Sequence, residues 1–199
     1  MDRYNDRAAA LAYAERTRQL DLSDLRSRFL SELPHGSSDT LRILDLGCGP
    51  GRDTRAFKAA GYDVEGMDPS PAMVRLARNY AQAPVRTRRA QDLDATEAYD
   101  GIWACASLLH VPLTDLPDVF SRIARALRAD GILYASFKHG PTERTVDGCH
   151  FTDMNETRLL DCISHAVELQ VVDIWETVDV RPERSGETWL NVLLRRGSG

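Results

Sequence analysis

The stretch RILDLGCGPGRDTRAF, residues 42–57, decides the fold of this chain. An apolar run with one acid, Asp45, gives way to three glycines and then to a helical pattern, which predicts strand, tight turn and helix. Glycine lacks a Cβ and accepts positive φ, so the backbone at Gly47, Gly49 and Gly51 can approach a ligand closely. The helix that follows presents free backbone N–H groups to the same crevice.

Composition limits the class of protein. The chain has 199 residues, 43% of them hydrophobic and 28% charged, which suits one globular domain with a sizeable core. No apolar run approaches a membrane span, and the charged N-terminus lacks the apolar centre of a signal peptide, so we expect a cytoplasmic protein with no membrane partner. The net charge of −5 makes nucleic acid an unexpected partner. The four cysteines lack CxxC spacing, so we expect no metal site.

Short apolar strands alternate with amphipathic helices through residues 41–137. Strands are expected at 41–46, 62–67, 84–88, 99–105 and 132–137, with helices at 53–60, from Ser70-Pro71 onward, and at 116–127, stopped by Asp130-Gly131. This alternation predicts an α/β fold, a doubly wound, mostly parallel seven-stranded sheet of Rossmann-like type with helices on both faces.

Two regions, 1–38 and 138–199, flank this core within one expected domain. The first has the apolar spacing of two helices, and a turn-rich stretch at 34–39 follows them. The second is expected to hold a loop, a helix and two strands, at 138–151, 155–165, 167–175 and 187–194. The connection between the last two strands is too short for a crossover helix, so the last strand should run antiparallel.

An acid at the end of the second strand is the next informative feature. Asp68 lies 21 residues after Gly47 (68 − 47). At roughly 20 residues, doubly wound sheets place an acid that accepts hydrogen bonds from ribose hydroxyls. The alternative is that Asp68 only caps the next helix, although Ser70 already supplies a capping hydroxyl. The turn at Asp92 could contact an adenine edge or could be a plain surface turn.

The glycine spacing favours one class of nucleotide. A dinucleotide site prefers GxGxxG, whereas this chain has GxGxG, with Asp45 before the turn and Asp53 after it. Acids repel a diphosphate and attract an ammonium group. A ligand with an adenine, a ribose and a cationic amino-acid tail therefore fits better than a dinucleotide.

These features together resemble class I S-adenosylmethionine-dependent methyltransferases. The likeness is carried by DLGCGPGRDT, the acid in GMDPS, the QDLD turn and ASLLHV, and it covers essentially residues 41–137. Within the class, the chain is similar to small stand-alone enzymes of the ubiquinone-biosynthesis and tellurite-resistance type. The resemblance implies S-adenosyl-L-methionine as donor, S-adenosyl-L-homocysteine as product and region 1–38 as a helical lid.

The same resemblance implies a set of donor-binding residues. They are Tyr13 (or Tyr4) and Arg16 from the lid, Asp45 and Gly47 at the methionine end, Gly49 and Gly51 beside the donor, Ala106 or Ser107 near the sulfonium, Asp68 at the ribose, and Met67, Pro69, Asp92 and Leu93 around the adenine.

His110 is the best candidate for a catalytic base. It follows the fourth strand, where an acceptor would approach the methyl group, and its unperturbed pKa suits neutral pH. The alternative is a histidine that only orders the loop before Pro112. Four cations could bind an anionic acceptor or could be solvated surface charges; they are Lys138, Arg144, Arg181 and Arg184.

The sequence thus predicts methyl transfer to a small-molecule acceptor, with anionic acceptors among the candidates. Two alternatives stay open: a methyltransferase acting on tRNA or protein, and a donor-binding protein of this fold with a non-methylating outcome. The Asn/Asp-Pro-Pro-Tyr/Phe signature of amino-methylating nucleic-acid enzymes is absent. No pattern in the sequence indicates an oligomeric state.

Overall fold

The computed structural model describes residues 6–34 and 40–198. Its helices are α1 (Arg7–Arg18), α2 (Ser23–Ser31), α3 (Arg52–Ala59), α4 (Pro71–Ala81), α5 (Leu116–Ala126) and α6 (Glu156–Ile163). Its strands are β1 (Arg42–Leu46), β2 (Asp63–Asp68), β3 (Val85–Thr87), β4 (Tyr99–Ala104), β5 (Leu127–Lys138), β6 (Glu143–Val146), β7 (Cys149–Thr152), β8 (Leu169–Val178) and β9 (Thr188–Arg196). Tyr4 and most of the turn at 34–39 lie outside the described residues.

Within the described residues, seven of these strands form one sheet in the order β3-β2-β1-β4-β5-β9-β8. All neighbours from β3 to β5 pair in parallel. Strand β9 runs antiparallel to both β5 and β8. The predicted doubly wound, mostly parallel sheet with an antiparallel last strand is therefore confirmed.

One face of the sheet is covered by α2 and α3. Phe29 of α2 and Phe57 of α3 contact Trp103 of β4, with ring centroids 5.3 and 5.5 Å away. Trp103 in turn stacks on Tyr134 of β5 at 4.1 Å. A Cβ on Gly101 would lie 2.6 Å from the Phe29 ring, so α2 lies directly against the strands. The second N-terminal helix is thus part of the core.

The opposite face is covered by α5 and α6. Helix α5 buries Leu116, Phe120 and Ile123 at helical spacing, in the same cluster as Leu159 of α6. The first N-terminal helix, α1, lies elsewhere: Ala10 packs with residues of α4. Helix α1 therefore lies beside the turn that begins α4, near the carboxyl ends of the strands.

The predicted start of α4 is confirmed in detail. Ser70 is the N-cap, its hydroxyl oxygen accepts a hydrogen bond from Met73 N at 3.3 Å, and Pro71 occupies the first helical position. This start places Asp68, the last residue of β2, two residues before the helix. The acid is therefore held at a rigid strand-to-helix turn.

The prediction of a loop over 138–151 is wrong, because β6 and β7 pair there as an antiparallel hairpin. The two residues between them, Asp147 and Gly148, have φ of +49° and +74°. Positive φ at both central residues is the turn that Asp-Gly favours in two-residue hairpins. The hairpin lies against the segment after β4, where Thr152 Oγ1 donates a hydrogen bond to Val111 O at 2.7 Å.

The predicted helix at 116–127 is confirmed to within one residue, since α5 ends at Ala126. The fifth strand, however, begins earlier than the predicted residue 132, because Leu127 already pairs with Tyr99 of β4. Asp130, the predicted helix stop, lies within β5 with φ of +61°. The fifth strand therefore begins immediately after the helix.

Across 6–34 and 40–198, every helix is too short or too polar to pass through a bilayer. In the same part of the chain, no three His, Cys, Asp or Glu side chains converge where a metal ion could bind.

Candidate functional site

Two adjoining cavities lie beyond the carboxyl ends of β1, β2 and β4, where open α/β sheets bind ligands. The first cavity, of about 200 Å³, lies on the β2 side, and the second, of about 230 Å³, extends toward β5 and β9. The residues that line both are Tyr13, Gly47, Gly49, Ala106 and His110. The structure therefore brings together five of the residues predicted from the sequence.

The three glycines of the turn have different surroundings. A Cβ on Gly47 would lie 2.2 Å from Ser107 Cβ, and one on Gly51 would lie 2.9 Å from Ala77 Cα. A Cβ on Gly49 would meet no atom within 4 Å. All three have positive φ, between +52° and +88°. Gly47 and Gly51 thus allow close packing of the turn, whereas Gly49 opens onto the cavities.

Asp68 connects the two turns that border the first cavity. Its Oδ2 accepts a hydrogen bond from Gly49 N at 2.9 Å, and its Oδ1 accepts one from Ser70 N at 2.8 Å. Burial raises the pKa of Asp68 to about 6. Each carboxylate oxygen retains a second lone pair, so the ionised group can still accept from ligand hydroxyls. Pro69, the next residue, also lines this cavity.

Asp45 lies under the glycine turn in the wall of the second cavity. It is buried, and its Oδ2 accepts a hydrogen bond from the Thr54 hydroxyl at 2.6 Å. Burial and the nearby Asp53 carboxylate raise the pKa of Asp45 to about 7. A cationic group beside it would favour its ionised form.

Asp53 has a different role from the one that its position suggests. It pairs with Arg26 at 2.9 Å and accepts from Arg52 Nε at 3.0 Å and from Trp103 Nε1 at 3.1 Å. Burial opposes its ionisation, but the two guanidinium groups hold the pKa of Asp53 below its usual range. The expectation that both acids near the turn attract a ligand ammonium group is corrected, because Asp53 is committed to two arginines.

Helix α1 places Tyr13 and Arg16 beside the glycine turn. Arg18 fixes the helix, because its Nη2 donates to Pro50 O at 3.1 Å and to Leu76 O at 3.3 Å. Tyr13 lines both cavities, and the Arg16 guanidinium carbon lies 5.6 Å from the centroid of its ring. Burial raises the pKa of Tyr13, so its phenol is neutral.

The bend after β4 forms the floor between the cavities. Ala106 has φ of +51°, and its N donates to Ser136 Oγ at 2.8 Å. Ser107 Oγ donates to Leu46 O at 2.6 Å, which ties the bend to the end of β1. A non-glycine residue in the left-handed region is strained, and such positions are frequent at functional sites.

His110 lies where the two cavities meet. Its Nδ1 is 2.8 Å from His150 O, and a carbonyl only accepts, so Nδ1 carries the proton. Burial lowers the pKa of His110, so the ring is neutral at pH 7 and Nε2 is its basic atom. The Phe151 ring stands edge-on at 4.9 Å. Both partners belong to the hairpin that the sequence did not reveal.

Three of the predicted adenine-side residues do not line either cavity. The side chains of Met67 and Leu93 are buried in the apolar core. Asp92 faces Arg89, whose hydrogen bonds to the carboxylate lower the pKa of Asp92 to about 2. Its neighbour Gln91 does line the first cavity. Adenine contact by these three residues stays a prediction.

The wall of the second cavity is built from alternate residues of β5 and β9. Tyr134, Ser136 and Lys138 share one face of β5, and Asn191 and Trp189 pair opposite the last two. The connection from β8 to β9 adds two further cations to this wall, Arg181 and Arg184. Of the four cations predicted for an acceptor, only Arg144 lies outside the cavity, because it pairs with Asp153.

The donor set fits a nucleoside with an amino-acid tail. A buried carboxylate faces the first cavity at Asp68, and the backbone at Gly49 leaves open space beside it. The second cavity adds Asp45 beneath the turn and Arg16 above it. These residues offer acceptors for hydroxyls and for an ammonium group, and a cation for a carboxylate, which are the polar groups of such a ligand.

Comparison with known proteins finds similarity to methyltransferases in the core of the chain. Residues 43–131 match the family model described as a methyltransferase domain. The ubiquinone biosynthesis O-methyltransferase of Nitrobacter winogradskyi is 33% identical over 101 residues, which cover 48% of this chain and 38% of that protein. The chain thus spans about two fifths of the length of the curated relatives that it matches.

Solved structures share the architecture over nearly the whole chain. A SAM-dependent methyltransferase of Methanosarcina mazei has a TM-score of 0.74 at 16% identity and covers 90% of this chain and 100% of its own. The 1,6-didemethyltoxoflavin-N1-methyltransferase of Burkholderia thailandensis, solved with 1,6-didemethyltoxoflavin and S-adenosylhomocysteine, has a TM-score of 0.66 at 22% identity, covering 95% and 91%. At these identities the likeness is one of fold.

Proposed function

We propose that this chain is a class I S-adenosylmethionine-dependent methyltransferase, as the methyltransferase-domain match over residues 43–131 supports, and that it transfers a methyl group from S-adenosylmethionine to a small-molecule acceptor by in-line displacement. The observation that carries this proposal is the meeting of the two cavities at Gly49, Ala106 and His110. A donor with its nucleoside in the first cavity and its amino-acid tail at Asp45 and Arg16 would meet there an acceptor that lies in the rest of the second cavity, and such orientation can supply up to roughly 7–11 kcal/mol.

The donor side of the site would bind S-adenosylmethionine and orient its methyl group. When bound, S-adenosylmethionine supplies a methyl group that its sulfonium makes electrophilic. Asp68 would accept from the ribose hydroxyls, and the open backbone at Gly49 would admit the ligand. Asp45 would face the ammonium group, which favours its ionised form. Arg16 would pair with the carboxylate, and Tyr13 would cover the donor.

The acceptor side holds a proton acceptor. His110 would take the proton of the nucleophile at Nε2, because Nδ1 already donates to His150 O. The hairpin of β6 and β7 would keep this tautomer in place. Its Phe151 ring limits the rotation of the imidazole. In this arrangement region 138–199 shapes the acceptor pocket, helix α1 covers the donor, and the free cysteines suit the cytoplasm as the working compartment.

A labelling experiment tests this proposal. The purified protein is incubated with methyl-labelled S-adenosylmethionine and separate small-molecule, RNA and protein fractions of a cell extract. We expect label in the small-molecule fraction, with one S-adenosylhomocysteine formed for each methyl group transferred. Label confined to RNA or protein would contradict the small-molecule acceptor. Donor binding without label in any fraction would contradict methyl transfer itself.

A further inference from the structure

We propose that the acceptor is a small organic acid whose anionic group is bound by Lys138 and Arg184 while its apolar body lies against Trp189 and Phe151. This inference rests on the proposed methyl transfer and adds the chemical class of the acceptor. It follows from the charge and the burial of the side chains that line the second cavity, and from the register of the strands that carry them.

The register of β5 places a cation, Lys138, at the end of the second cavity that lies farthest from the core. Alternate residues of a strand share one face, so Tyr134, Ser136 and Lys138 line the cavity in that order. Tyr134 is fully buried, whereas the Lys138 side chain is 16% exposed. The wall therefore changes from uncharged to cationic toward the rim.

The cations of this wall outnumber the carboxylates that pair with them. Lys138 and Arg184 both pair with a single acid, Glu187, the second at 3.6 Å. Glu187 is 38% exposed and lies on the connection between β8 and β9, so it is more accessible to water than Lys138 is. A ligand anion can therefore add to this pair of cations, or displace Glu187, at little cost in desolvation.

Arg181 has a different, structural partner. Its Nε donates to Asp179 Oδ1 at 2.8 Å, and Trp189 Nε1 donates to Asp179 Oδ2 at 3.0 Å. Asp179 is nearly fully buried, and its hydrogen bonds hold its pKa at about 2 despite that burial. These hydrogen bonds join Arg181, Asp179 and Trp189 and hold the Trp189 ring in the wall. Lys138 and Arg184 are therefore the cations of the wall that can exchange their carboxylate partner for a ligand anion.

Aromatic and aliphatic side chains complete the cavity between the cations and His110. Trp189 is next to Lys138 across the strands, and the Lys138 ammonium lies 5.9 Å from the centroid of the Phe151 ring. Phe151 also contacts His110 edge-on. An acid held at Lys138 would therefore lay its body along these rings with its nucleophile directed toward His110.

Charge fractionation tests the class of the acceptor. A small-molecule extract is passed over an anion exchanger at pH 7, and the retained and unretained fractions are each incubated with the full chain and methyl-labelled S-adenosylmethionine. We expect label only in the retained acids. Label only in the unretained fraction would overturn the acidic acceptor while leaving methyl transfer intact. Label in neither fraction would contradict the proposed function, and with it this inference.

Three variants then test the residues, with the labelled acceptor as substrate. Lys138→Met should raise the KM for the acceptor about 10-fold or more, because a charge-assisted hydrogen bond is lost, with little change in affinity for S-adenosylhomocysteine. Lys138→Arg should recover most of this loss. Glu187→Gln should lower the KM about 2- to 5-fold, since it removes a competing carboxylate; a merely structural ion pair would give the opposite sign.

The matched control is Arg86→Gln, which removes an exposed cation of β3 that pairs with Glu65 outside both cavities. It should leave the KM for the acceptor unchanged. An equal rise in KM for Arg86→Gln and Lys138→Met, or an unchanged KM for Lys138→Met, would overturn the assignment of Lys138.

Discussion

The two sides of the cleft are built in different ways. The donor side consists of one short loop, residues 45–51, and one acid, Asp68, held by backbone hydrogen bonds of 2.8 and 2.9 Å. The acceptor side is assembled from side chains of β5, β9, the β8–β9 connection and the β6–β7 hairpin, many of them in ion pairs. We therefore expect backbone geometry to select the donor and exchangeable side chains to select the acceptor.

The largest expected effect lies on the acceptor side. His110→Ala should lower turnover by about 10²- to 10⁴-fold, the usual contribution of a general base, with donor affinity nearly unchanged. The acid limb of the wild-type rate profile should lie below pH 6.5, since burial lowers the pKa of His110 from 6.5, and should vanish in the variant. The exposed His165→Ala is the control. Equal turnover of His110→Ala and wild type would remove the base from the mechanism.

Two glycines of the same loop should behave in opposite ways. Gly49→Val should weaken binding of S-adenosylhomocysteine by about 100-fold, or about 2.7 kcal/mol, because its side chain enters the open space of the cavities. Backbone strain should reduce its free energy of unfolding by only about 1–2 kcal/mol.

Gly51→Val is the matched partner. Its Cβ would lie 2.9 Å from Ala77 Cα, so overpacking adds to the strain, and the free energy of unfolding should fall by about 2–5 kcal/mol. Calorimetric titration and urea unfolding of both variants separate the two effects. Normal donor binding by Gly49→Val would contradict the placement of the donor.

Asp68 gives the next effect in size, again on the donor side. Asp68→Ala should reduce donor affinity by about 1.5–3 kcal/mol, since ribose hydroxyls lose an ionised acceptor. In the wild type, donor affinity should also fall as the pH drops through about 6, where the carboxyl of the free protein becomes protonated. Titration calorimetry at pH 5 and pH 8 measures both. An affinity that is the same in Asp68→Ala and wild type would contradict the ribose assignment.

The smallest expected effect concerns the acid beneath the loop. The pKa of Asp45 is about 7 in the folded chain and about 3.9 when unfolded. The folded state therefore binds a proton that the unfolded state lacks between pH 4 and 7, and the free energy of unfolding falls as pH rises through that window.

Asp45→Asn removes this dependence. Without donor at pH 8, it should be more stable than wild type by at least about 1 kcal/mol, and the difference should disappear near pH 4. Urea unfolding at several pH values measures this. A variant that is less stable than wild type at pH 8 would contradict the raised pKa of Asp45.

The sequence reveals the donor side because its signals are local. Strand periodicity, the glycine turn and the Ser70-Pro71 helix start each lie within a few residues, and the structure has them where they are predicted. The hairpin carried a local signal too, Asp147-Gly148, but β6 before it is mostly exposed and its sequence, ERTV, lacks apolar alternation. Such a turn stands out only when strands with a buried face surround it.

The acceptor side could not be predicted in the same way. The partner of His110 is a backbone carbonyl 40 residues away, and the arginine that joins Arg52 on Asp53 comes from α2, 27 residues before it. These contacts depend on tertiary packing, which no short pattern encodes. The same holds for Lys138 and Glu187, whose pairing requires β5 and β9 to be neighbours.

Titration calorimetry with S-adenosylmethionine and with NADH tests the central claim most directly, namely that a sulfonium nucleoside binds in the joined cavities. We expect one S-adenosylmethionine bound per chain, with affinity that falls at least 10-fold in Asp68→Ala, and no measurable heat with NADH. Saturable binding of NADH, or no binding of S-adenosylmethionine by a folded wild-type protein, would contradict the account.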